Sequence, residues 1–146
     1  MPRTSEPQLL LLDTHVWLWL VLGSEELGSA ARTTIRGAGL GRRSRIAAIT
    51  VWEIALLASR GRLVLGKRTI IWVEEAVAAS TVSILPLSPS VAVESWGLPG
   101  TFDADPADRI IIATARMRRC YGVDPRSPNT RLRCARSPDG NRRLTA

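Results

Sequence analysis

Residues 9–22 of the chain read LLLLDTHVWLWLVL, an apolar stretch that one acid interrupts. The four leucines from Leu9 to Leu12 have the length and composition of a buried parallel strand. The apolar side chains after Asp13 predict a short first helix, which Gly23 ends. Asp13 therefore stands where a strand gives way to a helix, and open α/β folds place their ligands at such junctions.

The same combination of strand, acid and helix occurs twice more. Arg45–Ile49 has a strand pattern, and Glu53 follows it near the start of a helical pattern. Asp108 lies at the start of a helix predicted over 107–117, with a proline in its first turn. Because the carboxyl ends of neighbouring parallel strands meet at one edge of a sheet, Asp13, Glu53 and Asp108 are predicted to converge there.

The rest of the chain alternates helical and strand patterns. Helices are predicted over about 27–35, 70–79 and 91–96, a strand over 81–87, and a loop over 97–106. Alternation at this spacing predicts an α/β fold, a three-layer α/β/α sandwich with a central parallel sheet. At 146 residues the chain has the length of a single domain.

The C-terminal part departs from this pattern. Residues 118–146 are rich in Arg and Pro and have no apolar period, so 1–117 are predicted to form the domain and 118–146 a disordered basic tail. Residues 1–108 carry 10 Lys and Arg against 11 acids, whereas residues 109–146 carry 10 Arg against 2 acids. The net charge of +7 therefore belongs to the C-terminal end and does not indicate that the folded part binds nucleic acid.

Several other classes of protein are not supported. Cys120 and Cys134 lack the spacing of a zinc site and are expected to be thiols in a mobile segment. The first apolar stretch is too short, and too soon interrupted by Asp13, to span a membrane. No cleavable signal precedes it, so a cytoplasmic protein is expected. No glycine-rich phosphate loop and no Ser-His-Asp arrangement is found.

Each acid also has a structural explanation as a helix cap. Asp13 suits the first helix, Thr50 and Glu53 match a capping box, and Asp105 with Asp108 suits a helix that begins at a proline. Taken singly, a cap is the more common role. Taken together, carboxylates about 4 Å apart repel by roughly 4 kcal/mol, so a cluster requires a cation or raised pKa values. Oxygen ligands without nearby cysteine favour Mg²⁺ or Mn²⁺ over zinc.

Such an ion suits hydrolysis of a phosphodiester, because it activates a water molecule and offsets charge on the phosphate.

His15 is within reach of the same edge, although a partly buried structural histidine is the more common role at a helix start. Arg42, Arg43 and Arg45 are candidates to hold a nucleic acid, with a solvated basic turn as the alternative. The five tryptophans are expected to be core or interface anchors rather than stacking platforms for bases.

Three motifs in this order, LLLDTHVWLW at 10–19, ITVWEI at 49–54 and DPADRIIIATA at 105–115, resemble those of the PIN-domain ribonucleases. The resemblance covers about residues 8–117 and is strongest to the VapC toxins of bacterial toxin–antitoxin pairs. It implies a PIN-like sandwich and a cytoplasmic endoribonuclease that needs Mg²⁺ or Mn²⁺. It also implies an RNA substrate, an antitoxin protein that inhibits the enzyme, and a homodimer.

The resemblance assigns roles to the three acids. Asp13 and Asp108 become metal ligands, and Glu53 becomes a third acid that binds the metal or orients its water. Asp105 is a less favoured candidate for the third motif, because Asp108 directly precedes the helix as the family's acid does.

The resemblance does not extend to the C-terminal end. Members of the family continue with a last strand and a fourth acid, and residues 118–146 show no sign of either. Asp124 and Asp139 lie in sequence rich in Pro and Arg, so no residue is assigned as the fourth acid. The sequence also leaves open whether the sheet has its last strand. One hypothesis is a change of reading frame near Cys120. Two alternative functions follow: an inactive PIN domain that only binds its antitoxin, or a nucleic-acid binder that uses the basic tail.

Overall fold

The structure is a computed structural model that describes residues 9–40, 42–98, 105–123 and 131–133. The strands are β1 (Leu10–Leu12), β2 (Ser44–Ala47), β3 (Ser83–Leu85), β4 (Tyr121–Val123) and β5 (Arg131–Arg133). The helices are α1 (Thr14–Leu22), α2 (Ser29–Leu40), α3 (Ala48–Ser59), α4 (Thr69–Ser80), α5 (Pro89–Trp96) and α6 (Pro106–Arg118).

The five strands form one sheet in the order β3-β2-β1-β4-β5. β1 lies at its centre and pairs in parallel with both neighbours: Leu10 is opposite Ser44 of β2 and Tyr121 of β4. β3 is parallel to β2, and only β5 is antiparallel, against β4. The predicted central parallel sheet is confirmed, and its parallel strands end at a common edge.

The central strand β1 is buried on both faces, as its unbroken leucine run predicts. Leu10 and Leu12 point into a core with Trp17 of α1, Ile35 of α2 and Trp72 of α4. Leu11 points to the opposite face, where it packs with Ile111 and Ala115 of α6. Helices thus cover both faces of the sheet, which confirms the three-layer α/β/α arrangement.

The sheet extends past the boundary that the sequence predicts at residue 117. β4 (Tyr121–Val123) occupies the place of the last parallel strand, and the Tyr121 backbone N–H donates to the Leu9 carbonyl at 2.8 Å. The prediction that residues 118–146 hold no element is therefore wrong for β4 and β5. Cys120 is 2% exposed in the core under α6, not in a mobile segment. Disorder of the remaining tail stays a prediction, on residues outside those described.

The local start and stop signals agree with the sequence in most places. Gly23 ends α1 in the left-handed conformation, at φ +66°, which glycine adopts without steric cost. The capping box predicted at Thr50 and Glu53 is wrong, because the N-cap of α3 is Ala47, three residues before Thr50, and no side chain caps the helix there. Within the part of the chain that the structure describes, no helix is long and apolar enough to cross a membrane.

Candidate functional site

Asp13 lies at the point where the central strand turns into α1. Its carboxylate Oδ1 accepts the backbone N–H of Thr14 at 2.8 Å, and its carbonyl accepts the N–H of Trp17 at 2.9 Å. Asp13 therefore caps α1, as expected. Capping uses one carboxylate oxygen, and the half-buried side chain stays at the carboxyl edge of β1.

Glu53 reaches the same edge from α3, which follows β2. Its Oε1 accepts a hydrogen bond of 2.6 Å from Thr14 Oγ1, the hydroxyl of the residue after Asp13. Thr14 Oγ1 also lies 3.0 Å from Thr50 Oγ1, and both threonines are almost completely buried. This chain of three side chains fixes the second acid against the first strand–helix junction.

Asp108 comes from α6, the helix that precedes β4. Asp105 caps this helix: its Oδ1 accepts the backbone N–H of Asp108 at 3.0 Å, with Pro106 in the first turn. The cap places Asp108 in the first turn, where the positive end of the helix dipole favours a carboxylate. The structural role expected for Asp105 is thus observed.

The acids influence one another electrostatically. Burial raises the pKa of Glu53 above its ordinary value, and the charges of Asp108, Asp13 and Asp105 raise it further, while the Thr14 hydrogen bond opposes the rise. Loss of hydration also raises the pKa of Asp108, with smaller contributions from Asp105 and Asp13 and an opposing one from His15. The structure therefore brings all three predicted acids, and Asp105, into one region of uncompensated negative charge.

Of the two roles that the sequence allows for His15, the structure agrees with the one at the acidic edge, whereas the loop arginines lie elsewhere. His15 is exposed rather than partly buried, and its charge lowers the pKa of Asp108, so it faces the acidic region. Arg42 and Arg43 precede β2, at the amino edge of the sheet, and the Arg43 carbonyl accepts from Leu10 at the start of β1. The arginines of this turn therefore lie at the opposite edge of the sheet from the acids.

The acidic region suits a hard divalent cation by its donor chemistry. Burial and neighbouring negative charges raise the pKa of Glu53 and Asp108, and a cation would offset those charges. Among the described residues, however, no three acidic, His or Cys side chains are close enough together to enclose an ion. A cation here would bind through some water ligands, as Mg²⁺ commonly does, or would draw the carboxylates together.

A separate cavity of about 410 Å³ lies at the other end of α1. Its walls come from Leu20 of α1, from Ile35 and Arg36 of α2, and from Ser80 and Thr81 at the end of α4. Asp13 begins α1 and Leu20 is near its end, so about 10 Å of helix separates this cavity from the acids. The cavity is not part of the acidic region.

Comparison with known proteins agrees with the fold. Residues 10–120 match the model of the PIN domain family. The chain belongs to the PIN domain family. A curated relative, Ribonuclease VapC22 of Mycobacterium tuberculosis, is 37% identical over 106 residues, which is 73% of this chain and 78% of the relative. The resemblance to VapC proteins is thereby confirmed.

The match to the PIN family ends at residue 120, where the sequence becomes rich in arginine. The hypothesis of a frame change near Cys120 stays a hypothesis. Asp124 and Asp139, the two acids beyond this point, lie outside the described residues.

One contributor to the PIN site was missed at the level of sequence. Thr14 binds Glu53 although 39 residues separate them in the chain, and no local pattern announces such a bond. The only signal in the sequence was the threonine that directly follows Asp13, and threonine is also an ordinary residue at the start of a helix.

Proposed function

We propose that this PIN domain is a divalent-metal-dependent endoribonuclease, the toxin of a toxin–antitoxin pair. The observation that carries the proposal is the region of negative charge at the carboxyl edge of the sheet, to which three different elements bring Asp13, Glu53 and Asp108. Burial raises the pKa of Glu53 and of Asp108, and the charge of Asp13 raises both further. The name of the relative from Mycobacterium tuberculosis, a ribonuclease, supports RNA as the substrate.

In this proposal Asp13 and Asp108 bind the ion, Mg²⁺ or Mn²⁺. Glu53 is the third acid, and it either binds the ion or accepts a proton from the attacking water. When bound, the ion supplies a Lewis acid that activates water and offsets charge on the scissile phosphate. Thr14 orients Glu53, because its hydroxyl holds Oε1 and leaves Oε2 available for the ion or the water.

Asp124 is the candidate that we propose for the fourth acid. It is the first residue after β4, which pairs with β1 in the register Leu11 to Gly122. Asp124 itself lies outside the described residues, so its place in sequence after β4 is what supports the proposal.

The remaining partners follow from the same proposal. An antitoxin protein is expected to inhibit the enzyme, and the location is expected to be the cytoplasm, where RNA and antitoxin are both present. A homodimer is also proposed, and sedimentation equilibrium of the purified chain would measure it. Large apolar side chains such as Trp52 and Ile70, which are 56% and 50% exposed, leave surface for protein contacts.

The second candidate function is an inactive PIN domain that binds its antitoxin without cutting RNA. The described acids are too far apart to enclose an ion, and this observation favours the second candidate. The two candidates differ in one property, which is metal-dependent cleavage. A third, binding of nucleic acid by the basic tail alone, would be steeply salt-dependent and indifferent to Asp13.

The deciding experiment is calorimetry of Mg²⁺ and Mn²⁺ binding, with cleavage of a labelled RNA followed in the same preparation. We expect the wild-type chain to bind metal and to cut, and Asp13→Asn to do neither. Glu74→Gln, which removes an exposed carboxylate from α4, is the matched control and should behave as the wild type. A folded wild-type chain that neither binds metal nor cuts RNA would establish the inactive alternative.

A further inference from the structure

Trp96 is an exposed aromatic side chain beside the first turn of α6, the turn that carries Asp108. It ends α5, and 75% of its surface is accessible, although tryptophan is among the side chains that gain most from burial. The sequence predicts a core or interface anchor here. The exposure rules out the core role and leaves the ring on the surface of the described part of the chain.

The side chain of Arg109 packs over the ring of Trp96 and holds it in place. The guanidinium carbon of Arg109 lies over it, 5.3 Å from the ring centroid, which is within the range of a cation–π interaction. Arg109 Nη1 also donates to the Ser95 carbonyl at 3.4 Å, near the end of α5. One face of the ring is therefore under the guanidinium, and the high exposure shows that the other face is open.

The position of this pair ties it to the acids. Arg109 is the residue after Asp108, in the first turn of α6, and its N–H donates to the Asp105 carbonyl at 3.1 Å. α5 and α6 are joined rigidly, with Val91 and Ala113 buried between them and Glu94 paired with Arg116 at 3.3 Å. Trp96 thus packs against Arg109, the residue that directly follows a proposed metal ligand in α6.

We infer that the open face of Trp96, backed by Arg109, is a stacking platform for an unpaired base of RNA next to the scissile phosphate. This inference rests on the proposed nuclease function and adds to it a site for the substrate's base. An aromatic face backed by a cation suits a nucleic acid, because the ring takes the base and the positive charge lies near the phosphates. Stacking accepts every base, so the platform gives affinity for single-stranded RNA without selecting sequence.

The alternative occupant of this surface is a second copy of the chain. Val93, also 75% exposed, lies three residues before Trp96 and so on the same face of α5. A contact between copies would use both side chains, whereas base stacking needs only the aromatic ring. Val93 therefore supplies the matched control.

The test measures RNA affinity in the Asp13→Asn background, in which cleavage is suppressed. The probe is a short fluorescein-labelled single-stranded RNA, and the readout is fluorescence anisotropy. Trp96→Ala and Trp96→Leu should weaken binding at least about fivefold, whereas Trp96→Phe and Val93→Ala should stay within about twofold of the parent. Circular dichroism melting and sedimentation velocity of each variant confirm the fold and the oligomeric state.

Three results would overturn the platform. The first is equal affinity of Trp96→Ala and its parent. The second is a loss of affinity in both Trp96→Ala and Val93→Ala together with a smaller sedimentation coefficient, which would assign the face to a contact between copies. The third is a wild-type chain that neither binds nor cuts RNA, which would refute the nuclease itself. In the first two results the parent still binds RNA, so they refute the platform and leave the proposed nuclease standing.

Discussion

The hydroxyl of Thr14 donates to Glu53 Oε1 at 2.6 Å, across 39 residues of sequence, and joins the first helix to the third. A threonine has one hydroxyl proton, so with that proton given to Glu53 the contact of 3.0 Å to Thr50 requires Thr50 to be the donor and Thr14 the acceptor. The chain of donors thus runs from Thr50 through Thr14 to the carboxylate. It ends on the carboxylate of Glu53 and fixes an orientation that α3 alone does not fix.

Thr14→Val tests this chain, because valine keeps the shape and removes the donor. Stability should fall by about 1 kcal/mol, since a partly buried hydrogen bond to a carboxylate is lost. The pKa of Glu53 should rise further, because the hydrogen bond that opposes its rise is gone. The acid limb of the pH profile of RNA cleavage should therefore move to higher pH.

Thr50→Val is the matched control for Thr14→Val. It removes a hydroxyl from the same buried chain and leaves the bond between Thr14 and Glu53 in place. We expect a similar loss of stability by thermal melting but no shift of the pH profile. Equal shifts in the two variants would mean that Thr14 acts through packing and not as a donor to Glu53.

Asp105 and Asp108 are predicted to separate into a cap and a metal ligand. Asp105→Asn keeps an oxygen for the Asp108 N–H, so it should retain the melting temperature and most of the cleavage rate. Asp105→Ala should lose about 1 kcal/mol of stability, as other caps do. Asp108→Asn should abolish cleavage while the helix stays capped. Loss of metal binding in Asp105→Asn by calorimetry would instead make Asp105 a ligand.

Most of the fold was predictable, because it depends on local patterns. Leu9–Leu12 is apolar throughout, and a strand that is buried on both faces has such an unbroken apolar run. β4 was not predictable in the same way. Its three residues, Tyr-Gly-Val, include a glycine and lie between the arginines at 118–119 and the proline at 125, so no period is visible. Its stability comes from pairing with β1, at Leu10 and Leu11, and that is a tertiary interaction.

The residues of the candidate site also divide into those that local sequence patterns predict and those that depend on tertiary contacts. Asp13 and Asp108 stand at junctions of strand, loop and helix that the sequence displays, and the structure brings them into one region with Glu53. The sequence misplaced the start of α3, because Thr50 looks like a cap and instead lies buried against Thr14. For Trp96 the sequence left both a core and an interface role open, since hydropathy alone does not tell an exposed ring from a buried one.

Stability of the metal-free chain should fall as the pH rises. Glu53 and Asp108 have pKa values raised above 4.5 and 3.8, so the folded chain binds more protons than the unfolded chain in the window above these values. Their favourable contribution is complete below the ordinary carboxyl pKa, about 4, and is lost as the pH passes the raised values.

Glu53→Gln should reverse part of this loss, because glutamine keeps an acceptor for Thr14 and removes the charge. In the presence of a chelator at neutral pH its melting temperature should exceed that of the wild type by about 1–2 °C, a small increase because these groups are partly solvated. Near pH 4 the two chains should melt together. Glu74→Gln, at an exposed site on α4, should match the wild type at both values of pH. A wild-type chain that becomes more stable from pH 4 to 7 without metal would contradict the unfavourable effect expected of ionised Glu53 and Asp108.

Asp124→Asn tests the fourth acid. Asp124 directly follows β4 in the sequence, as Asp13 directly follows β1, and the two strands are parallel. We expect Asp124→Asn to weaken Mn²⁺ binding and to reduce RNA cleavage at least about tenfold, the scale seen when supporting groups of a metal site are removed. Asp139→Asn, the same change in the same basic segment, is the control and should leave both quantities unchanged. Equal behaviour of the two variants in an active enzyme would show that three acids suffice. It would also leave β4 with only its structural role, as the strand that covers the open side of β1.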